Sequence, residues 1–346
     1  MRSRELGIRI GALATGEQDA ITDVSGVRVG QTTIIEGDAV RTGVTVIVPP
    51  ETPVFAGCHR LNGNGELTGL EWVRESGMLT TPVGLTNTFS VGVVRDAIAA
   101  ESADDDAWSL PVVGETYDGY LNDARGQHVT AAHTREALVH ARGGSVAEGN
   151  VGGGTGMISH GFKAGTGTAS RVAEGFTVGV LVQANHGRRP RFRVNGVAIG
   201  ERIGDRIPTP TYPPGAGSII GIVATDAPLL PHQCARLAQR SALGVARMGG
   251  LGENSSGDLF LAFATGNRGV GGIEQTVELQ MLPNERMDGL FAAVVDATEE
   301  AILNAMLAAE TMRGRDGAIA HALDPESLLE ALSQAPAVTE PSHGRR

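Results

Sequence analysis

The sequence predicts a layered sandwich of the α/β or α+β class. Three observations predict it: short β-branched runs broken by Gly and Asp, apolar runs of helical period between them, and no strict strand–helix–strand alternation. Glycine is 49 of 346 residues, about twice the usual share of roughly 7%, without a collagen-like period. That excess reads as tight turns and close backbone approaches.

Residues 1–18 read as a polar lead-in. Val27-Arg-Val-Gly, Thr32-Thr-Ile-Ile and Gly43-Val-Thr-Val-Ile-Val read as strands joined by tight turns. Helices are expected within 64–79 and 130–142, and Val178-Gly-Val-Leu-Val-Gln is a short apolar strand. Residues 187–216 are basic and rich in Pro and Gly, an insertion or linker around a hairpin at Arg191-Phe-Arg-Val-Asn-Gly-Val. Ser218-Ile-Ile-Gly-Ile-Val-Ala-Thr is a buried strand. Pro231 suits the first turn of a helix that continues to Arg247, with Leu237, Ala238, Leu243 and Val245 at helical spacing. The loop Gly249-Gly-Leu-Gly-Glu-Asn-Ser-Ser-Gly257 leads into a strand over 258–265, and a second strand is expected at about 273–282. A long helix spans about 287–312, its apolar residues (Leu290, Phe291, Val294, Val295, Ile302, Leu303, Met306) implying a broad buried face. Asp324-Pro325-Glu326 caps a last short helix, and 335–346 is expected to be disordered. No internal repeat is present.

Composition excludes several functions. The net charge of −11 has the wrong sign for tracking phosphates, and 13 aromatic residues are too few for base-stacking platforms, so no nucleic-acid partner is expected. Two cysteines, Cys58 and Cys234, make neither a disulfide framework nor a structural zinc site. No apolar run has the length of a membrane span, and no apolar stretch of signal-peptide type follows the charged first residues. A cytoplasmic protein without membrane partners is the expectation.

No G-x-S-x-G elbow, H-E-x-x-H pair or P-loop lysine occurs. Gly152-Gly-Gly-Thr-Gly lacks the lysine of a phosphate cradle and reads as a tight backbone loop near the active centre. Histidines show no metal-ligand spacing, and His59, His186 and His232 read as structural. Asn254-Ser-Ser-Gly taken alone is an ordinary polar turn. A serine heading a strand has a second use. Its hydroxyl attacks the preceding carbonyl, an N-to-O acyl shift makes an ester, and hydrolysis frees an α-amine of pKa near 7.7–8.0. That amine is poised to act as base for its own hydroxyl.

Asn254-Ser-Ser-Gly-Asp-Leu-Phe-Leu-Ala-Phe resembles the processing site of the L-aminopeptidase/D-esterase family, which includes the β-aminopeptidases. Further blocks agree in order across about residues 18–315: Ala20-Ile-Thr-Asp-Val-Ser-Gly-Val-Arg-Val-Gly, Leu61-Asn-Gly-Asn-Gly-Glu-Leu-Thr-Gly, Glu115-Thr-Tyr-Asp-Gly-Tyr-Leu-Asn-Asp, Ala147-Glu-Gly-Asn-Val-Gly-Gly-Gly-Thr-Gly-Met, Leu181-Val-Gln-Ala-Asn-His-Gly-Arg-Arg and Ala297-Thr-Glu-Glu-Ala-Ile-Leu-Asn-Ala. The resemblance implies a four-layer αββα sandwich like that of N-terminal-nucleophile hydrolases. It implies autocatalytic cleavage into subunits 1–255 and 256–346, together one structural domain, and a homo-oligomer of such heterodimers. Its expected activity is removal or transfer of N-terminal residues of small peptides, amides or esters through an acyl-enzyme, with no metal or organic cofactor.

The resemblance also implies roles. Ser256 matches the nucleophile, with cleavage after Ser255 and Ser255 as the fallback nucleophile. Asn185 resembles the oxyanion-hole asparagine. Glu115 matches a carboxylate that holds the substrate's ammonium, and Tyr117, in preference to Tyr120, a donor to the reacting carbonyl. Thr298 and Glu300 match a hydroxyl–carboxylate pair at i, i+2; Val294 and Asp296 share the spacing without a hydroxyl. Residues two apart on a regular helix do not face each other, and Glu299 and Glu300 also read as solvated helix charges. Two rival readings are an acyltransferase of the ornithine acetyltransferase kind, which uses a processed Thr, and a non-catalytic Gly-rich binding protein that stays one chain.

Overall fold

A computed structural model describes residues 1–101, 109–210, 217–271 and 276–334. Its strands are β1 (Arg28–Glu36), β2 (Val40–Val48), β3 (Val54–Arg60), β4 (Met78–Leu79), β5 (Val83–Asn87), β6 (Val112–Thr116), β7 (Ile158–Ser159), β8 (Phe162–Lys163), β9 (Thr166–Ala173), β10 (Phe176–Asn185), β11 (Arg193–Val194), β12 (Val197–Ala198), β13 (Gly217–Thr225), β14 (Ser256–Ala264), β15 (Met312–Arg313) and β16 (Ile319–Ala320). Its α-helices are α1 (Leu70–Ser76), α2 (Val91–Glu101), α3 (Ala131–Val139), α4 (Ile199–Ile203), α5 (Pro231–Arg247), α6 (Met287–Leu307) and α7 (Pro325–Ser333).

Two sheets stack. One has the order β1-β2-β5-β6, the other β4-β3-β14-β13-β10-β9. Period-2 alternation supplies both faces of the second. Leu259, Leu261 and Phe263 of β14 enter the core between the sheets, with Ile220, Ile222, Leu85 and Val112. Phe260, Ala262 and Ala264 enter the core beneath α5 and α6, with Leu237, Ala238, Leu290 and Ile302. Val44, Val46 and Val113 turn from the first sheet toward α2 and α3, against Val94, Ile98 and Ala137. Helices therefore cover both outer faces, and the architecture is αββα.

β13 and β14 are parallel neighbours, joined by α5 as crossover. Pro231 opens α5, and the Gln233 side chain caps it by accepting from Leu230 N–H at 3.1 Å. Gly57 lets the helix lie on β3: a Cβ there would stand 2.7 Å from both the Ala235 Cα and the Pro231 carbonyl. The parallel pairing sets Ser256 opposite Gly217, so both strands begin at one end of the sandwich.

Several expectations are corrected. Residues 276–282 form no strand: Val277, Leu279 and Met281 alternate but stay exposed, and the segment is pinned by Asn267, whose side chain brackets the Gln280 backbone. Residues 211–216, the end of the expected linker, 272–275 and 335–346 lie outside the described residues. The long helix stops at Leu307, and Met312 begins a ribbon instead. The helix within 64–79 covers only α1, because the glycines before Leu70 open a loop. Residues 187–210 are no linker: the expected hairpin is β11–β12, and Phe192, Val194, Ile199 and Ile203 are core residues. β14 begins two residues before the expected strand, which places Ser256 inside the sheet.

The N-terminal segment is not a loose lead-in. Ile8 and Ile10 are buried, and Ser3 and Arg4 reach Glu300 on α6. Glu300 is fully buried. It accepts from Ser3 Oγ at 3.0 Å, from Arg4 Nε at 2.8 Å and from the buried Arg171 of β9. Burial opposes its charge, but Arg171 and Arg4 outweigh burial and hold the carboxyl below its ordinary range. Removing that charge leaves the buried Arg171 with Asp19, at 3.6 Å, as its remaining carboxylate. Glu300→Gln is expected to lower unfolding free energy by about 3–5 kcal/mol in urea titration. A loss under about 1 kcal/mol, within the range of exposed pairs, would contradict this anchoring role.

Candidate active site

Ser256 is the first residue of β14 and is nearly inaccessible, at 2% exposure. Side chains two apart on a strand share a face. The sequence Ser256-Gly257-Asp258 therefore sets a hydroxyl beside a carboxylate, and Ser256 Oγ donates to Asp258 Oδ1 at 2.6 Å. Burial pushes the Asp258 carboxyl up to about 6. Ser256 and Asn62 bond it and oppose the rise, while the charge of Glu253 adds to it. The group is thus ionised at neutral pH and able to accept a proton.

The chain before β14 is gripped by the loop after β3. Asn62 Nδ2 donates to the Glu253 carbonyl at 3.0 Å, and Asn62 Oδ1 accepts from Asp258 N–H at 2.6 Å. Leu61 N–H donates to the Asp258 carbonyl at 3.0 Å and Asn64 N–H to the Ser256 carbonyl at 3.2 Å. Asn64 Nδ2 donates to the Ser255 carbonyl at 2.6 Å. Glycines make the approach possible, since a Cβ on Gly257 would stand 2.5 Å from the Gly65 Cα.

Register lines up the rest of this end. Asn185 pairs with Ser218 across β10–β13, and Ser218 with Gly257 across β13–β14. Asn185 Oδ1 accepts from Ile158 N–H at 2.8 Å, which fixes the amide orientation, and its Nδ2 donates to the Tyr117 carbonyl at 2.9 Å. One of its two N–H bonds remains for another acceptor. The hairpin β7–β8 that supplies Ile158 is braced by Lys163, the only lysine in the sequence. Its fully buried ammonium donates to the carbonyls of Met157 at 2.8 Å and Ala164 at 2.6 Å, and burial lowers its pKa to about 7. Beside Asn185, His186 packs edge-on to His160. Burial keeps both rings neutral, and neither His186 ring nitrogen has a hydrogen-bond partner.

Glu115 is the penultimate residue of β6 and is 4% exposed. Its Oε1 accepts from Glu66 N–H at 3.0 Å and its Oε2 from Thr88, and burial raises its pKa. It borders β14 through Gly65: a Cβ there would lie 3.1 Å from Glu115 Oε1 and 2.9 Å from the Gly257 Cα. A cavity of about 430 Å³ opens at Gly65, Glu66 and Leu259, bounded farther out by Trp72, Arg74 and Arg95. Tyr117 is half-exposed, with its ring over Gly119, whereas Tyr120 packs against the cluster of Leu121 and Ile158.

Thr298 and Glu300 are not brought to this end. Glu300 is taken up by Ser3, Arg4 and Arg171, and Thr298 packs where Gly244 of α5 meets α6, its hydroxyl without a partner. Neither Glu299 nor Glu300 is a solvated helix charge: Glu299 is buried and, like the buried Asp296, pairs with Arg247. The glycines 152–154 sit between the sheets; a Cβ on Gly153 would stand 2.6 Å from the Leu85 carbonyl. The sequence reading assigned no role to Asp258, Asn62 or Asn64. The Ser-x-Asp spacing on a strand was the available signal for the first; Asn62 and Asn64 lie about 190 residues from their partners, which no local pattern reveals. Among the described residues no group of three or more His, Cys, Asp or Glu side chains is disposed to hold a metal ion, and no helix is long and apolar enough to cross a membrane.

Comparison with known proteins agrees with this fold. The model of Peptidase family S58 matches residues 19–320. The chain is 46% identical to the beta-peptidyl aminopeptidase BapA of Sphingosinicella microcystinivorans, over 96% of this chain and 91% of that protein. Among solved structures, a Burkholderia sp. beta-aminopeptidase superposes with a TM-score of 0.90 at 51% identity, covering 99% of this chain and all of the other. The L-aminopeptidase D-Ala-esterase/amidase of Ochrobactrum anthropi, described as a prototype serine aminopeptidase with a variant of the Ntn hydrolase fold, gives a TM-score of 0.88 at 44% identity over 96% and 98% of the two chains. With a matching family model, relatives covered nearly end to end and a shared αββα sandwich, the chain belongs to peptidase family S58 and is a hydrolase of the serine-aminopeptidase kind.

Proposed function

We propose that this aminopeptidase activates itself by breaking the Ser255–Ser256 bond, and that Ser256 then acts as an N-terminal nucleophile on small peptides, amino-acid amides or esters. The observation that carries the proposal is the hydroxyl of Ser256, hydrogen-bonded to a carboxylate at the head of a central strand. The freed α-amine takes the hydroxyl proton, the oxygen attacks the substrate carbonyl, and water later hydrolyses the acyl-enzyme. Asn185 keeps one N–H for the tetrahedral oxyanion, a contact commonly worth about 2.7–4 kcal/mol, and reaching it requires the freed Ser256 terminus to turn toward the inter-sheet face that Asn185 occupies. Gly217, opposite Ser256, leaves the intervening strand bare for the acyl group. Tyr117 assists at the reacting carbonyl. Thr298 and Glu300 belong to the scaffold in this scheme. A homo-oligomer of cleaved heterodimers in the cytoplasm accompanies the proposal.

An aminopeptidase must recognise the free amine, since that alone marks the first bond. Glu115 is the carboxylate for this task, because charge-assisted hydrogen bonds are stronger than neutral ones. The β-aminopeptidases among the relatives suggest that a β-amino terminus fits as well as an α-amino one.

Intact mass of the purified protein is expected to give chains of 255 and 91 residues, the smaller beginning Ser-Gly-Asp-Leu-Phe. Ser256→Ala is expected to stay one chain and to lose hydrolysis; an active uncleaved chain would place the nucleophile elsewhere. Glu115→Gln is expected to cleave normally but to lose about tenfold to a hundredfold in kcat/KM on free-amine substrates, the value of a hydrogen bond to a charged group. An equal loss on des-amino esters would assign Glu115 to catalysis or folding instead.

A further inference from the structure

The scissile carbonyl already has a donor, and it is not the asparagine expected to serve substrate. Asn64 Nδ2 lies 2.6 Å from the Ser255 carbonyl oxygen. Asn185 sits two strands away from Gly257, about 10 Å at the usual strand spacing. One of its N–H bonds is held by Tyr117, and it shares the inter-sheet face with Gln183, whereas Ser256 and Asp258 have the opposite parity with Phe260. The Ser256 hydroxyl, in turn, is bonded to Asp258.

We infer that Asn64 and Asp258 are catalytic residues of self-cleavage, a set separate from the one that serves substrate turnover. The inference rests on cleavage at Ser255–Ser256 as proposed above. Asp258 takes the proton of Ser256 Oγ as the oxygen bonds to the Ser255 carbonyl carbon. The carbonyl oxygen becomes an oxyanion held by Asn64 Nδ2–H. On collapse the carbon–nitrogen bond breaks, and the proton on Asp258 passes to the departing Ser256 nitrogen, leaving an ester and an amine. Water then adds to the ester carbonyl, and the carbon–Oγ bond breaks to give the Ser255 carboxylic acid and the Ser256 hydroxyl.

Two features support this use over simple loop-holding. Asn62 and the backbone of Leu61 and Asn64 already secure the loop through four hydrogen bonds, so the Asn64 side chain is not needed to hold it. The Asp258 carboxyl, raised to about 6 by burial, is ionised but basic enough to take a proton near neutrality. Glu253 from the loop is the charged group that bears on it; Asn62 and the Ile219 backbone are its neutral neighbours.

The test is pulse-chase of the full chain made in cell-free translation, read by the appearance of the 91-residue fragment. Asn64→Ala and Asn64→Asp are expected to slow cleavage about 10²–10³-fold, the cost of losing one oxyanion donor. Purified uncleaved Asn64→Ala should unfold in urea at the midpoint of uncleaved Ser256→Ala, which separates a chemical from a structural defect. Cleavage of the parent chain should slow tenfold per unit as pH falls below about 6, where Asp258 is protonated, and Asp258→Asn should lose this limb together with most of the rate. Parent-like cleavage in Asn64→Ala overturns the assignment of Asn64, and an unchanged acid limb in Asp258→Asn that of Asp258. Should Asn64→Ala fail to fold, the near-isosteric Asn64→Asp and the pH limb decide. A parent chain that never cleaves, or Ser256→Ala that still does, overturns the cleavage proposal itself and the inference with it.

Discussion

The head of β14 is a backbone in the interior with no sheet partner for its upstream side, and the loop after β3 supplies what it lacks. A strand that begins beneath two flanking strands must satisfy its polar groups there, because an unpaired buried amide or carbonyl costs about 1–3 kcal/mol. Leu61, Asn62 and Asn64 donate to the carbonyls of Glu253, Ser255, Ser256 and Asp258 and accept from the Asp258 amide. Gly65 and Gly257 let the two backbones cross at contact distance. β13, Asn185 and the end of β6 are all positioned relative to this crossing. The loop that holds the strand head through Asn62 and its own backbone also brings the Asn64 amide to the Ser255 carbonyl, so structural satisfaction and carbonyl polarisation come from one loop but from different groups.

Much of the scaffold was legible. β13 and α5 declare themselves by an unbroken apolar run and by a proline at the first turn followed by apolar residues at helical spacing. The hairpin at Asn195-Gly196 and the Asp324 cap of α7 follow from local backbone chemistry. The exceptions share a cause, which is that long-range contacts decide them. Val277, Leu279 and Met281 have strand alternation but find no sheet. Arg2, Ser3 and Arg4 look like a solvated tail until Glu148, Asp19 and Glu300 are seen to receive them. α2, rich in valine, carried no distinctive helical signal. In the candidate site, Ser256 and Asn185 were singled out by family resemblance of the blocks around them, and the Ser-x-Asp spacing could have added Asp258. Asn62 and Asn64 act across distances in sequence at which local patterning is silent.

The buried carboxylates show how one fold assigns different duties to the same group. Glu300 is surrounded by guanidinium groups and held in its charged form, which suits an anchor. Asp258 and Glu115 lack a cationic partner among their hydrogen bonds, accept from hydroxyls and amides, and have raised pKa values. Neutral donors leave a carboxylate able to gain a proton or a cation; paired arginines do not.

Lys163 has one more consequence. A chain with 28 basic residues that keeps its single ε-amine sealed under two carbonyls offers arginine alone among its side chains as an accessible cation. Reagents that acylate or cross-link primary amines therefore find no side chain to attack in the folded molecule. Tagging through isopeptide bonds, acetylation and tethering to amine-reactive supports are all confined to α-amino groups, and an α-amino group exists only where a polypeptide begins.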